Sequence, residues 1–220
     1  MSGIPAEVVP LAVATAVSPL PLVVLLVVLL TPRAVPNGLA LAAGWAIALL
    51  VVGAVTVTLV GSGAGLDERG TVVSAVEVFV GLLFLLLAAR QWSRRPRGGV
   101  EAIVPQWLLV ADKSTPLRAF AMGAVLVIAN PKNLALAVAA AGAVAGASAE
   151  SRTRAWALVL FAALGTAGLA VPLGLRISLG TRADGLLSRW RRWLVVHGTP
   201  VACGLLAAIG WLLLLRGATA

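Results

Sequence analysis

Two short polar motifs lie inside long hydrophobic runs of the sequence. Ser18-Pro19-Leu20-Pro21 interrupts the run over residues 8–30, and Asn130-Pro131-Lys132-Asn133 interrupts the run over residues 119–144. A proline within a helix removes an N–H donor and clashes with the preceding turn, so carbonyl groups there lose their partners. At membrane depth such groups are tolerated only where protein or a hydrated cavity surrounds them. The motifs therefore mark a candidate site for a polar ligand.

Lys132 is the charged residue of these motifs, and a cation at mid-depth costs at least a few kcal/mol. It must pair with an acid or face a hydrated path. Glu77, which lies six residues into the third hydrophobic run, is the natural partner, and it shares a helix face with Gly81. Asn130 and Asn133 flank the break and are suited to bind freed carbonyls or a ligand. The functional interpretation is a coupling or substrate site, and the structural alternative is an ion pair that only fixes helix orientation.

The elements that must position these motifs are membrane-spanning helices. The chain has 220 residues, of which 60% are hydrophobic and 11% charged, whereas soluble domains are roughly half apolar. A crossing needs about 20 apolar residues. We therefore predict an all-α membrane protein with six transmembrane helices, the first and fourth of them broken. The predicted spans are 8–30, 37–60, 71–89, 119–144, 155–175 and 194–215.

The positive charge is distributed as a topology signal. The net charge is +9, but the basic residues lie between hydrophobic runs and not on one face, so nucleic-acid binding is not expected. The loops after the first, third and fifth runs hold twelve Lys and Arg residues, and the opposite side holds four. Cytoplasmic loops carry the excess of Lys and Arg. This predicts a multi-pass protein of the plasma (inner) membrane with both termini outside.

Several functional classes are not supported by the residue inventory. Cys203 is the only cysteine and His197 the only histidine, so a disulfide and a multi-thiol or histidine metal site are not expected. The sequence has no Walker motif or dinucleotide fingerprint. We expect no cofactor, no resident metal and no enzymatic activity, because one acid, one His and one Cys in separate spans give no obvious catalytic set.

The two halves of the chain have the pattern of a repeat. Pro19 and Pro131 are 112 residues apart, and Trp45 and Trp156 are 111 apart. Three spans per half place the halves in opposite orientations, which is an inverted repeat. The helical rise puts both breaks about 16 to 18 Å from a membrane surface, near the midplane. The predicted division is a first repeat over 1–89, a basic cytoplasmic linker over 90–118 and a second repeat over 119–220.

The proline motif of the first span and the Asn-Pro-Lys motif of the fourth resemble the lysine exporter superfamily. Within it the chain is most similar to the peptidoglycolipid addressing branch, also called sulfolipid-addressing proteins. The resemblance implies about six helices made by 3+3 duplication, and an export function. Exported substrates are amino acids or cations in other branches and cell-envelope glycolipids in this one. The motif positions that it carries over are Pro19, Pro21, Asn130, Pro131 and Lys132.

Two departures from the other branches bear on the substrate. Leu20 stands where the amino-acid exporters typically have Gly after the first proline, and Glu77 is the only acid deep in a span, whereas the metal exporters have more. We therefore predict a transporter that translocates or delivers an envelope glycolipid or another anionic amphiphile through a midplane site between the broken helices. The predicted site consists of Lys132, Glu77, Asn130, Pro131, Asn133, Ser18, Pro19 and Pro21.

Two alternatives stay open at this stage. One is an exporter of small solutes, either amino acids or cations. The other is a non-transporting assembly partner of a larger lipid exporter or synthase, which would dock through the basic linker 90–118. The expected partners are membrane lipids and the transported lipid or small molecule. The expected assembly is a homo-oligomer such as a dimer, or a larger envelope-lipid export complex.

Overall fold

The computed structural model describes residues 4–62, 69–93, 115–147 and 150–219, and every regular element in this part of the chain is helical. The α-helices are α1 (Val8–Ala16), α2 (Pro19–Leu29), α3 (Ala34–Ser62), α4 (Arg69–Ser93), α5 (Pro116–Ile128), α6 (Pro131–Gly146), α7 (Ser151–Leu179) and α8 (Asp184–Thr219). A short 3-10 turn, Gly180–Ala183, joins α7 to α8. The all-α prediction is confirmed for the described residues.

The helices break at the two proline motifs. α1 and α2 meet at a bend of 45°, and α5 and α6 meet at a bend of 72°. Pro19 and Pro131 are the first residues of α2 and α6, a position where the missing N–H would have no helical partner in any case. Ser18 and Asn130 precede them with extended backbones, because a following proline disfavours the helical conformation.

The long apolar helices identify a membrane protein. Among the described residues, two helical segments are long and apolar enough to cross a bilayer, one over Ala34–Val60 and one within Ser151–Gly198. Counting each bent pair as one span raises the number to four. A shorter apolar stretch, Gly81–Arg90, lies in α4. The predicted total of six spans stays a prediction.

The helices of the first half pack mainly against those of the second. α3 packs on α5 and α7 packs on α1, while α2 contacts α8 and α6 contacts α4. The last helix of the first half, α4, packs on the last helix of the second half, α8. Trp45 of α3 is fully buried, and its indole Nε1 donates to the Gly165 carbonyl of α7 at 3.3 Å. Trp156, its predicted repeat counterpart, is instead 59% exposed, so the two tryptophans have different environments.

Glycines allow the backbones of α3 and α5 to touch. A Cβ atom added to Gly44 would lie 2.0 Å from the Phe120 carbonyl oxygen, and one added to Gly123 would lie 2.1 Å from the Leu41 carbonyl oxygen. Real Cβ atoms do not approach backbone oxygens so closely. Small residues at helix crossings permit this close packing in lipid, where no hydrophobic force drives helices together. The crossing therefore depends on both glycines.

The predicted loop over residues 176–193 is wrong. α7 continues to Leu179, and α8 begins at Asp184 and not near residue 194. Arg176 forms a salt bridge with Asp184 across the short turn between them. The error has a physical reason: charged residues end a hydrophobic run, yet arginine is a good helix former and does not end a helix. His197, near the predicted start of the sixth span, consequently lies well inside α8.

Most of the predicted basic linker lies outside the described residues. α4 ends at Ser93 and α5 begins at Pro116, where the Thr115 side chain accepts the Arg118 N–H at 3.4 Å. The proposed division into two repeats and a linker is therefore untested.

Candidate functional site

The second break is built around the cap of α6. Asn130 is the N-cap residue, and its side-chain oxygen accepts the Lys132 backbone N–H at 3.1 Å. The Asn130 carbonyl accepts the Leu134 N–H at 3.0 Å. Asparagine is among the preferred N-cap residues, because its side chain satisfies an amide that the helix itself cannot. The Asn130 side chain thus caps a backbone N–H, which is neither of the two uses predicted for it.

Asn133 joins the two breaks to each other. Its side chain is fully buried, and its Nδ2 donates to the Leu126 carbonyl at 3.1 Å. In a continuous helix that carbonyl would accept the N–H of Asn130, so the Asn133 amide replaces a backbone donor lost at the break. The Asn133 Oδ1 accepts the Ser18 hydroxyl from the first break at 3.0 Å. One side chain therefore holds together helices that are far apart in sequence.

Lys132 reaches the same point from the first turn of α6. Its side chain is 7% exposed, and its Nζ donates to the Ser18 Oγ at 3.4 Å. We call Ser18, Lys132 and Asn133 the break cluster. An ammonium group has three donors and no acceptor. Within the described part of the chain, no carboxylate lies within salt-bridge distance of Lys132, so its charge is held there by a neutral hydroxyl.

The predicted partner Glu77 lies in α4, but its side chain falls outside the described residues. Its pairing with Lys132 stays a prediction.

Pro19 and Pro21 shape the first break and bring no side-chain donor to it. Because both fall in the first turn of α2, that turn lacks two N–H groups. Pro21 is buried, and Pro19 lies against Gly198 of α8.

Two apolar grooves adjoin the breaks. The first, of about 610 Å³, follows α5 to the second break. Its lining includes Leu20, Val125, Ala129, Asn130 and Pro131. The second groove, of about 710 Å³, lies between α2, α7 and α8. Sequence reasoning missed both, although the cluster of Arg189, Trp190 and Trp193 beside a hydrophobic run was a usable signal for the second.

The break cluster has the side chains of an anion-binding site. The described residues contain no group of three or more His, Cys, Asp or Glu side chains placed to hold a metal ion. The break cluster offers one cation, one hydroxyl and one amide, all buried. Such a set can bind and orient an anionic group by charge-assisted hydrogen bonds.

Replacing Asn133 should destabilise the junction of the two breaks. Asn133→Leu keeps the approximate volume but leaves the Leu126 carbonyl and the Ser18 hydroxyl without their partner. We expect the free energy of unfolding in mixed micelles to fall by about 1–3 kcal/mol. Thr58→Val is the control, because the Thr58 hydroxyl is exposed and its hydrogen bond among the described residues is to Val55 of its own helix. Equal stability of the two variants would contradict a joining role for Asn133.

Comparison with known families identifies a match over most of the chain. A family model described as Sap, sulfolipid-1-addressing protein, matches residues 8–219, a range that includes both breaks and every helix of the structure. Comparison with curated proteins and with solved structures gives no match.

Proposed function

Because the chain belongs to the sulfolipid-1-addressing protein family, we propose that it moves an anionic envelope lipid across the membrane through the break cluster. Family membership supports a role in lipid addressing or export, and the long apolar helices support a location in the membrane. The proposal adds the route and the residues. It places the lipid headgroup at Ser18, Lys132 and Asn133, while the acyl chains stay in apolar surroundings.

The observation that carries this proposal is the buried ammonium of Lys132. A cation within a membrane span is costly unless a counter-charge or water compensates it. The Ser18 hydroxyl compensates only partly, because a neutral acceptor gives a weaker bond than an anion does. A sulfate or phosphate group would supply the counter-charge that Lys132 lacks among the described side chains. The same site would reject a cationic headgroup, because like charges repel at close range.

The packing of the helices supports an inverted 3+3 repeat as the framework. If α1 and α2 correspond to α5 and α6, α3 to α7 and α4 to α8, then exchanging the halves converts the α1–α7 contact into the α5–α3 contact. It likewise converts α2–α8 into α6–α4 and leaves α4–α8 unchanged. Repeats of this kind bind substrate near the midplane, between discontinuous helices.

The breaks also provide hinges for alternating access. Backbone hydrogen bonds are interrupted between α1 and α2 and between α5 and α6, so each pair can change its bend with little loss of helix. In the proposed cycle the headgroup displaces the Ser18 hydroxyl from Lys132 and leaves on the other side when the halves rock. Rocking of one repeat against the other is how such folds alternate access.

Purified protein in liposomes tests this function directly. We expect it to accelerate the movement of a fluorescent lipid with a phosphate headgroup between leaflets by at least about tenfold over protein-free vesicles. That factor corresponds to roughly 1.4 kcal/mol of barrier. A lipid with the same chains and a trimethylammonium headgroup should not be accelerated. Inactivity toward both lipids, with correctly folded and inserted protein, would favour the role of a non-transporting assembly partner.

The proposed orientation places both termini outside. Arg33, in the turn before α3, and Ser151, the first residue of α7, are exposed and should face opposite sides of the membrane. In a Cys203→Ser background, we expect Ser151→Cys to react with a membrane-impermeant maleimide in intact cells and Arg33→Cys to react only after permeabilisation. The expectation follows from the excess of basic residues on the Arg33 side. The reverse labelling pattern would invert the orientation.

A further inference from the structure

The groove between α2, α7 and α8 is lined by apolar side chains and one basic side chain. Its volume is about 710 Å³. Its apolar lining residues are Leu22, Leu26, Val171, Pro172, Leu186 and Leu194. Its other side chains are Arg189, Trp190 and Trp193, all from one stretch of α8. An apolar surface with a single cation is complementary to an anionic lipid, which has apolar chains and a negatively charged headgroup.

The far end of this groove reaches the first helix break. Gly168, which lines the groove, lies so close to α1 that an added Cβ would be 2.0 Å from the Ala16 carbonyl oxygen. Gly198 of α8 similarly faces Pro19. A Cβ atom added to Gly198 would lie 2.8 Å from the Cβ of Pro19. Arg189 precedes Gly198 by nine residues, which is about 14 Å along a helix. The groove therefore extends from the basic end of α8 to the level of the break.

Arg189 is suited to bind a headgroup. It is exposed, and within the described residues the salt bridge of this region joins Arg176 to Asp184 and leaves Arg189 out. The planar guanidinium matches the oxygens of a phosphate or sulfate group and can donate two bonds to it. Trp190 and Trp193 flank the arginine, and tryptophan prefers the boundary between acyl chains and headgroups.

We propose that this groove binds one acyl chain of an anionic lipid, with its sulfate or phosphate group on Arg189 and the chain directed toward the first break. Binding of the lipid in this groove does not depend on transport. The groove would also load the lipid into the break cluster, and that role rests on the proposed function. The occupant is a lipid and not a free anion, because the apolar lining has nothing to offer an inorganic ion.

Fluorescence quenching tests the site in purified protein held in neutral detergent. The probe is a single-chain sulfate ester with two bromine atoms in the chain, which quench the nearby Trp190 and Trp193. We expect the matching phosphate monoester to bind with similar affinity and the matching trimethylammonium compound to bind at least about tenfold more weakly, a difference of roughly 1.4 kcal/mol. Inorganic sulfate should not compete with the probe. Equal affinity for the anionic and cationic probes overturns the proposal.

Two pairs of variants locate the binding. Arg189→Gln should raise the Kd of the sulfate ester about tenfold, the loss expected for one charge-assisted contact. Arg191→Gln should leave it unchanged, since Arg191 does not line the groove. Val171→Phe should weaken all the amphiphiles by filling the groove, whereas Val159→Phe, an exposed position elsewhere on α7, should not. Quenching that is insensitive to Arg189→Gln and Val171→Phe overturns the site.

The binding result and the transport result are separable. Quenching is measured without lipid movement, so a groove that binds as expected in a protein that moves no lipid in liposomes sustains the site and rejects the proposed function. Lipid movement without selective binding in the groove rejects the site and leaves the proposed function standing.

Discussion

Lys132→Met is expected to reduce the movement of the anionic lipid in liposomes by at least about tenfold while the protein stays folded. The loss corresponds to a charge-assisted hydrogen bond of about 1.5–3 kcal/mol between Lys132 and the headgroup. Folding should not suffer, because replacing a buried charge by an apolar side chain of similar length removes its desolvation penalty. The rate of lipid movement and the free energy of unfolding are measured on the same preparation.

The structural alternative predicts a different stability for Lys132→Met and a rescue by a second change. If Lys132 only pairs with Glu77, Lys132→Met leaves a carboxylate buried without its partner, and stability should fall by about 3–5 kcal/mol. A second change, Glu77→Gln, should then restore both stability and lipid movement. Lys132→Arg is the charge-matched control and should keep part of the activity, since the guanidinium preserves the charge but not the shape. Full activity of Lys132→Met would reject the break cluster as the substrate site.

Gly44→Ala is expected to have the largest effect on stability. The added methyl group would lie 2.0 Å from the Phe120 carbonyl oxygen, and a backbone atom cannot rotate away as a side chain can. The crossing of α3 and α5 must then widen. We expect the free energy of unfolding to fall by about 3 kcal/mol, at the upper end of overpacking costs. Gly123→Ala should behave alike, because its Cβ would meet the Leu41 carbonyl oxygen at 2.1 Å.

A control and a double variant make this prediction specific. Gly142 also lies within a helix, but an added Cβ meets nothing within 4 Å, so Gly142→Ala should be neutral or stabilise by up to about 1 kcal/mol. The double variant Gly44→Ala, Gly123→Ala should cost less than the sum of the single changes, since both are relieved by the same separation of helices. A loss of stability in Gly142→Ala as large as in Gly44→Ala would contradict the crossing as the cause.

The sequence alone determined the features that depend on local chemistry. Long apolar runs predicted membrane helices, and Pro19 and Pro131 predicted where two of them break, because a missing N–H acts on its own turn. Lys132 was identified as a candidate site residue because a cation within a hydrophobic run is costly unless a counter-charge or water compensates it. The boundary at residue 194 was wrong, because hydropathy reports where apolar residues end and not where a helix does.

Only the tertiary structure decided which separated residues meet. Nothing in the spacing of Ser18 and Asn133 indicates that one donates to the other, nor that Lys132 shares the same hydroxyl. The groove that includes Arg189 likewise needs α2, α7 and α8 side by side. Helix formation follows from neighbours in the chain, whereas these contacts depend on how closely whole helices approach. That distance is set by small residues such as Gly168, whose partners lie on helices distant in sequence.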